Sequence, residues 1–243
     1  MKGCHFPLPQ NLGWVQVMSV VVKNKIRNEK IIENVKKDLS LHRRVLVLTE
    51  RVAHAENLAA MLISNGISAA CVTGPMKPKD RDDMVSRVTG LEKAISYIQD
   101  SLVAAEDIDW DPILTWPQFL EKIKVLNLNC EMMGKITEIY NHKIDCLVAT
   151  KQLFSEGTDI PCIDTLHLVC PTANEAYIEQ AIGRVQRFYA RKFPPKTIYY
   201  ADTGTGILYG CAKKFKKVCE QVLHYSVTDH TGHPKEEDMA SSL

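Results

Sequence analysis

The hydrophobic residues of this chain follow two spacings in turn, one typical of buried strands and the other of amphipathic helices. Short apolar runs at residues 44–48 and 144–149 predict strands that are buried on both faces. Before the first of these runs, residues 24–39 carry apolar side chains at helical spacing with charged residues on the other side. Short buried strands that alternate with helices predict an α/β fold with a parallel sheet and helices on both faces.

Further elements follow the same alternation. The β-branched residues of segment 14–22 predict a strand near the start of the chain. The pair Asn65-Gly66 predicts the end of a helix over residues 54–64. By the same criteria, strands are predicted over residues 67–72, 165–169 and 197–201, and helices over residues 78–88, 174–187 and 206–225.

One segment, residues 89–129, interrupts this alternation. It contains Trp110, Trp116 and a run of acidic residues between two elements that would otherwise be neighbours. We interpret it as a mostly helical insertion on the domain surface, which either packs locally or docks a specific partner. The chain is then one domain over residues 1–225 that contains this insertion, and residues 226–243 form a polar, disordered tail.

The charge balance excludes one class of function. The 243 residues contain 30 Lys+Arg and 29 Asp+Glu, and a net charge of +1 excludes a protein that binds nucleic acid through overall charge alone. It leaves room for a local basic surface. The four lysines within residues 213–217 either form a solvated helix face or border a nucleic-acid groove.

The composition also bears on compartment and metal binding. No apolar run approaches the roughly 20 residues of a membrane helix, and the first ten residues lack the apolar core of a secretory signal. The eight cysteines form no C-x-x-C pair, so we predict reduced thiols and no metal site. We therefore expect an intracellular protein that is not secreted and has no membrane partner, in a compartment that the sequence does not specify.

The clearest chemistry lies in the helix predicted at residues 174–187. Residues three or four apart share a helical face, so Arg184 and Arg187 lie on the same face as Gln180. Gly183 leaves space on that face for a phosphate or another backbone. Two forked guanidinium groups suit a polyphosphate, whereas the alternative interpretation is a solvated or salt-bridged helix face.

The neighbouring loop strengthens the first interpretation. The strand predicted at residues 144–149 leads into a loop that contains Gly157 and Asp159. Open parallel sheets bind their ligands at the carboxyl ends of the strands, which is where this loop and the arginine helix both begin. An aspartate there can accept hydrogen bonds from a ribose hydroxyl or from an arginine. The sequence thus predicts a nucleotide site at this edge of the sheet.

Three strings in this region resemble the motifs of superfamily-two helicases and translocases. Residues 180–187 read Q-x-x-G-R-x-x-R, which resembles motif VI, and residues 149–161 read A-T-x(6)-G-x-D-I-P, which resembles motif V. Residues 43–62 resemble motif IV with its helix, and Thr73-Gly74 followed by Arg81 fits the next pattern. The resemblance spans about residues 24–200 outside the insertion, and its three motifs stand in the family's order. The motif sequences are most similar to those of the branch that contains type III restriction subunits and excision-repair helicases.

The resemblance implies the C-terminal, second RecA-like lobe of a helicase. In that family, ATP with Mg²⁺ binds in a cleft between two lobes, and the second lobe supplies arginine fingers worth on the order of 10³–10⁵ in rate. Nucleic acid, DNA rather than RNA in the branch named above, crosses both lobes. By motif match, the catalytic residues are Arg187 and Arg184, the nucleotide-binding residues are Gly157, Asp159, Gln180 and Gly183, and the nucleic-acid contacts are Thr73 and Thr150.

The sequence lacks the other half of such a site. It contains no G-x-x-x-x-G-K-[ST] string and no Asp-Glu-x-His or Asp-Glu-x-Asp box. A Walker lysine and a Mg²⁺-binding carboxylate are needed to hold and activate ATP. We therefore expect no ATP hydrolysis by this chain alone, and a P-loop-bearing first lobe in the same or another polypeptide.

Two other interpretations remain open. The chain is alternatively a degenerate lobe that binds nucleic acid or a partner without taking part in catalysis. A third class, an unrelated nucleotide-binding protein, rests only on the glycines at 204 and 206, which otherwise form a turn and the start of a helix.

Overall fold

The computed structural model describes residues 4–6, 8–9, 11–74, 76–110, 113–152, 160–189 and 191–228. In these residues, five parallel strands form one sheet in the spatial order β2-β3-β1-β4-β5. The strands are β1 (Val45–Thr49), β2 (Ala69–Val72), β3 (Cys146–Thr150), β4 (Thr165–Leu168) and β5 (Lys196–Tyr199). The predicted α/β fold with a parallel sheet is therefore confirmed.

Helices connect these strands. Before β1 lie α1 (Trp14–Lys23) and α2 (Lys25–Ser40), and α3 (Val52–Ser64) joins β1 to β2. Between β2 and β3 come α4 (Pro78–Val88), α5 (Gly90–Ser101), α6 (Trp116–Lys122) and α7 (Cys130–Asn141), with short 3₁₀ turns at Val103–Ala105 and Ile123–Val125. Then α8 (Glu175–Val185) joins β4 to β5, and α9 (Gly206–Lys217) continues as a π-helical turn at Val218–Val222.

Helices cover both faces of the sheet because successive strand residues point in opposite directions. In β1, Val45 and Val47 pack with α2 and α3, whereas Leu46 and Leu48 pack with α8 and α9. Every residue of β1 and β3 is buried. The continuous apolar runs in the sequence come from this burial on both sides.

The strand predicted over residues 14–22 is wrong, because this segment forms α1. Its β-branched residues favour a strand when taken one by one. Their spacing fits a helix, since Val17, Met18, Val21 and Val22 are all buried on one side of α1. Tertiary packing of that side outweighs the local preference of the β-branched residues.

The C-terminal part of the chain departs from the predicted helix over residues 206–225. The α-helical part ends at Lys217, and the π-helical turn ends at Val222. His224 then adopts a left-handed backbone conformation with a φ of 57°, which ends the helix. Of the predicted disordered tail, residues 229–243 lie outside the described residues.

Helices α5 to α7 form a unit with a core of its own. Leu91, Ile95 and Phe119 pack in one cluster with Met132 and Ile136 of α7, so this helical unit continues past residue 129. It attaches at the amino ends of the strands. Glu92 pairs with Arg44, which directly precedes β1, at 2.7 Å, and the Arg191 Nε donates to the Trp110 carbonyl at 3.0 Å.

A buried ion pair joins the first helices to the far end of the sheet. The Nε of Arg27, in α2, lies 2.9 Å from both carboxylate oxygens of Asp202, and its Nη2 donates to the carbonyl of Val169 at 2.6 Å. Both side chains are fully buried.

In the part of the chain that the structure describes, no helix is long and apolar enough to cross a membrane, and all eight cysteines are free.

Replacing Arg27 with methionine should lower the free energy of unfolding by about 3–5 kcal/mol, because it leaves the Asp202 carboxylate buried without its counter-charge. Urea denaturation measures this loss. Lys25→Met is the matched control on the same helix, since its exposed pair with Glu29 at 3.9 Å contributes less than about 0.5 kcal/mol. A loss below about 1 kcal/mol in Arg27→Met would contradict this role of the ion pair.

Candidate functional site

Two of the predicted site residues lie side by side at the carboxyl edge of the sheet. Thr150 is the last residue of β3, and Thr73 directly follows β2. The parallel register pairs Val72 with Ala149, so the two threonines occupy the next position on neighbouring strands. Both are buried, with relative exposures of 3% for Thr150 and 9% for Thr73.

The surroundings of these threonines include one buried polar atom without a partner among the described residues. Within the described chain, the Thr150 Oγ1 is buried and has no hydrogen-bond partner. Next to Thr73, Gly74 allows the amide of Gln152 to come so close that a Cβ on Gly74 would lie 2.5 Å from its Oε1. Helix α4 begins after this loop without a side-chain cap at Lys77. An uncapped helix start carries a partial positive charge that favours anions.

Helix α8 carries three further predicted site residues. The Asn174 side chain caps its start by accepting a hydrogen bond from the Tyr177 N–H at 3.0 Å. The helix buries the face formed by Tyr177, Ile178, Ala181, Ile182 and Val185. This packing leaves Gln180 and Gly183 exposed and Arg184 half-buried. A Cβ built on Gly183 meets no atom of the described residues within 4 Å, so no contact among them requires a glycine at that position.

The helix predicted over residues 174–187 is too long, because α8 ends at Val185. Arg187 therefore lies beyond the helix, in a bend whose backbone N–H still donates to the Arg184 carbonyl at 3.4 Å. Only Arg184 lies within α8, so the prediction that both arginines lie on one face of this helix is not met. Both arginines make contacts within the protein, and Arg187 remains exposed.

Lys192 fixes the place where α8 ends. Its Nζ donates to the Val185 carbonyl at 2.7 Å and to the carbonyls of Pro161 and Ile163 at 3.2 and 3.3 Å. A cation at the carboxyl end of a helix also interacts favourably with the helix dipole. Lys192 thereby joins the end of the motif V segment to the helix that carries Arg184. The sequence analysis missed this residue, because a lysine in a loop gives no signal of such a contact.

The carboxyl end of β3 and the start of α8 also meet directly. The Lys151 ammonium lies 4.3 Å from the centre of the Tyr177 ring and 4.0 Å from a carboxylate oxygen of Glu50. Burial raises the pKa of the Glu50 carboxyl. The strand that ends in Thr150 and the helix that carries Arg184 therefore form one continuous edge, as the sequence predicts for parallel strands.

A buried chain of hydrogen bonds lies behind this edge. The Thr49 Oγ1 is 2.8 Å from His54 Nδ1 and 3.0 Å from the Cys170 sulfur, while His54 Nε2 is 3.1 Å from Asn28 Oδ1. Asn28 donates its Nδ2 to the Val22 carbonyl at 3.0 Å. The Asn28 Oδ1 is then an acceptor, so Nε2 of His54 carries the proton and Nδ1 accepts from Thr49.

Burial, together with the nearby positive charges of Arg27 and Arg51, lowers the pKa of His54 to about 3. His54 is therefore neutral at physiological pH, and it orients the end of β1 rather than transferring protons. The hydrogen-bond chain through Thr49 reaches Cys170, which lies four residues before Asn174, the residue that caps the start of α8. The helix predicted over residues 54–64 includes His54, which does lie in α3, but no local pattern indicates this network.

Two predicted residues, Gly157 and Asp159, lie outside the described residues. A cavity of about 810 Å³ runs along β5 and is lined by Ile182 of α8 and by Gln186, directly after that helix. None of the predicted site residues is among the described residues that line it. In the part of the chain that is described, no group of three or more His, Cys, Asp and Glu side chains could hold a metal ion.

A family comparison matches the middle of the chain. Residues 120–189 match the family model described as the helicase conserved C-terminal domain. This segment contains β3, β4 and α8, and with them the motif V and motif VI strings. The predicted resemblance to helicase C-terminal domains is confirmed. The match covers less than a third of the chain, and the assignment to one helicase branch stays a prediction.

Solved structures share the fold. UvsW of T4 aligns with a TM-score of 0.55 and 11% identity over 90% of this chain and 39% of its own. The RNA helicase Prp28 from Chaetomium thermophilum, solved with ADP, aligns with a TM-score of 0.52 and 11% identity over 96% of this chain and 40% of its own. The chain thus spans about two fifths of each, and the likeness shows a RecA-like fold. No curated protein matches the sequence.

The neutral state of His54 predicts a specific pH dependence. In the unfolded chain a histidine takes up a proton near pH 6.5, whereas folded His54 stays neutral down to about pH 3. The unfolded state therefore binds more protons, and stability falls as the pH falls below 6.5. Between pH 7 and pH 5, His54 should account for a loss of about 2 kcal/mol in the free energy of unfolding.

Urea denaturation of the wild type and of His54→Gln at both pH values measures this term. The variant should lose that part of the pH dependence, whatever its stability at pH 7. An identical pH dependence in the two proteins would show that His54 is not held neutral by its surroundings.

Proposed function

We propose that this chain is the second motor lobe of an ATP-dependent superfamily-two helicase or translocase, which completes its ATPase site with a P-loop-bearing first lobe. The observation that carries this proposal is the carboxyl edge of the sheet. There, the family-matched segment places the end of β3 against the helix that carries Gln180, Gly183 and Arg184.

The nucleotide side of the proposal rests on α8 and the bend after it. Arg184 and Arg187 supply guanidinium groups that suit the charge developing on a transferred phosphoryl group. The open space beside Gly183 fits a phosphate or the backbone of a second lobe. Gln180 is exposed on the same helix and is placed to sense cleft closure. Gly157 and Asp159 are proposed to complete this side.

The residues present fit the triphosphate but not the metal ion. ATP would supply the γ-phosphoryl group, and Mg²⁺ would supply the positive charge that balances it. In P-loop enzymes, a lysine and a carboxylate of the P-loop lobe hold the phosphates and the metal ion. This chain's own residues would bind phosphate oxygens through Arg184 and Arg187. We therefore assign Mg²⁺ binding to the first lobe.

The nucleic-acid side rests on the strand ends. The Thr150 hydroxyl is buried without a partner in the described chain, and the uncapped start of α4 follows Thr73 at the same edge. Hydroxyl and backbone N–H donors are typical contacts to phosphate oxygens, and they position a nucleic acid without reading its sequence. The proposal favours DNA over RNA only through the branch resemblance in the sequence.

Arg187→Ala tests the arginine finger in the motor assembled from this chain and a first lobe with a P-loop. The ATPase rate should fall on the order of 10³-fold or more, because the transition-state charge loses its partner. Arg187→Lys is the matched control, which keeps the charge but not the planar fork and should be intermediate. Affinity for an oligonucleotide should stay within about twofold, and an unchanged ATPase rate would refute the role of Arg187.

Gly183→Ala separates function from stability at the same helix. The added methyl group meets no atom of the residues that the structure describes, and alanine favours a helix over glycine by about 0.5–1 kcal/mol. The variant should therefore be more stable in urea denaturation while the assembled motor loses ATPase activity. Gly134→Ala in α7 is the control, because it also meets no atom and lies away from the edge. Equal, unimpaired ATPase activity in both variants would contradict the assignment of Gly183.

A further inference from the structure

The outward face of α9 has a composition unlike the rest of the surface. Gly206, Tyr209, Gly210 and Lys213 follow one another at helical intervals, all exposed, and Lys216 and Lys217 continue this face. Opposite it, Leu208, Cys211, Ala212 and Phe215 are buried against the sheet. At 1.5 Å per residue, the helix presents this face over about 18 Å.

The positive charge of this face is only partly balanced. Helix α9 contains four lysines and no acidic residue, although the whole chain has a net charge of only +1. Lys214 pairs with Glu175 at the start of α8, and it lowers the pKa of that carboxyl, with a smaller contribution from Lys217. Among the described residues, no carboxylate lies within 4.0 Å of the Lys216 or Lys217 ammonium. Glu175 is thus the carboxylate that Lys214 and Lys217 share.

Near the start of α9, the same face carries two glycines without side chains and one aromatic residue. A Cβ built on Gly206 or Gly210 meets no atom within 4 Å among the described residues, so their packing does not require either glycine. A glycine within a helix costs roughly 0.5–1 kcal/mol relative to alanine, and no contact in the described chain offsets it at Gly210. The Tyr209 side chain lies beside them and is 50% exposed. An extended chain can therefore approach the helix closely next to an aromatic ring.

We infer that this face of α9 binds single-stranded nucleic acid, with lysines on the phosphates and Tyr209 against an unpaired base. Basic residues that follow the backbone, next to aromatic rings that stack on bases, are the general features of such surfaces. An acidic protein would satisfy the lysines but would gain nothing specific from the tyrosine. The inference rests on the proposed function for the nature of the ligand, but it uses a separate surface.

The position of α9 fits this role. The helix begins at the carboxyl end of β5, the same edge of the sheet that bears Thr73 and Thr150 at β2 and β3. The four strand spacings from β2 to β5 amount to about 19 Å at 4.8 Å each. The α9 face is therefore a second contact, on the other side of the lobe from the two threonines.

Fluorescence anisotropy with a labelled 20-nucleotide oligo-dT, and with an oligo-U of the same length, tests the inference on the full chain. Lys216→Glu/Lys217→Glu should raise the Kd at least tenfold. Because two phosphate contacts are lost, the slope of log K against log salt should become shallower by about 1.4. The control is Lys36→Glu/Lys37→Glu, an exposed lysine pair on α2 with the same change in charge. It should change the Kd less than about threefold.

Two tyrosine variants test the stacking contact. Tyr209→Ala should weaken binding on the order of tenfold, whereas Tyr209→Phe keeps the ring and should bind like the wild type. Equal losses in both tyrosine variants, or equal effects of the two lysine-pair variants, would overturn the inference. Binding of poly-glutamate with the same affinity and the same dependence on Lys216 and Lys217 would also overturn it.

Thr73→Val/Thr150→Val separates this inference from the proposed function. If only the threonine variant weakens binding, the nucleic-acid contact at the sheet edge stands and the α9 face is refuted. If only the α9 variants weaken it, the α9 face stands and the threonine contacts are refuted. If the wild-type chain binds neither oligonucleotide, both nucleic-acid assignments are refuted, while the ATPase test of Arg187 remains a separate measure of the motor proposal.

Discussion

The ion pair between Arg27 and Asp202 is the interaction on which the carboxyl edge of the sheet depends most. It is fully buried, and it joins α2, Val169 directly after β4 and the segment after β5. Helix α8 starts only a few residues after Val169. The hydrogen-bond chain from Asn28 through His54 and Thr49 reaches Cys170 beside it. Residues early in the chain therefore fix the place from which the arginines project.

The two edges of the sheet have different partners within the protein. The carboxyl edge carries Thr73, Thr150 and the start of α8, whereas the helical unit of α5 to α7 attaches at the amino edge through Arg44 and Arg191. The insertion thus has its own hydrophobic core and enlarges the lobe away from the proposed site. This separation explains how a large helical addition is compatible with the motif strings of the carboxyl edge.

Much of the fold could be predicted because the strands are buried on both faces and short helices connect them. The helix over Pro78–Val88 was predicted to the residue, since proline marks its start. The segment of α1 was not, because its β-branched residues hide a helical spacing that becomes evident only in its packing against Leu208 of α9 and against Cys170. The helix that precedes Arg187 ends earlier than predicted, because Lys192 in the loop that follows it binds its last carbonyl. Contacts such as His54 to Asn28 join residues 26 positions apart, and no local pattern encodes them.

The central claim is that this chain supplies one half of a composite ATPase site, and ATP hydrolysis by the purified chain tests it most directly. The rate is measured alone, with single- and double-stranded DNA, and after addition of a first lobe that carries a P-loop. The account predicts no turnover by the chain alone and turnover stimulated by nucleic acid once the first lobe is present. Turnover by the chain alone would contradict the division of the site between two lobes, and continued inactivity with the first lobe bound would make the chain a non-catalytic binding lobe.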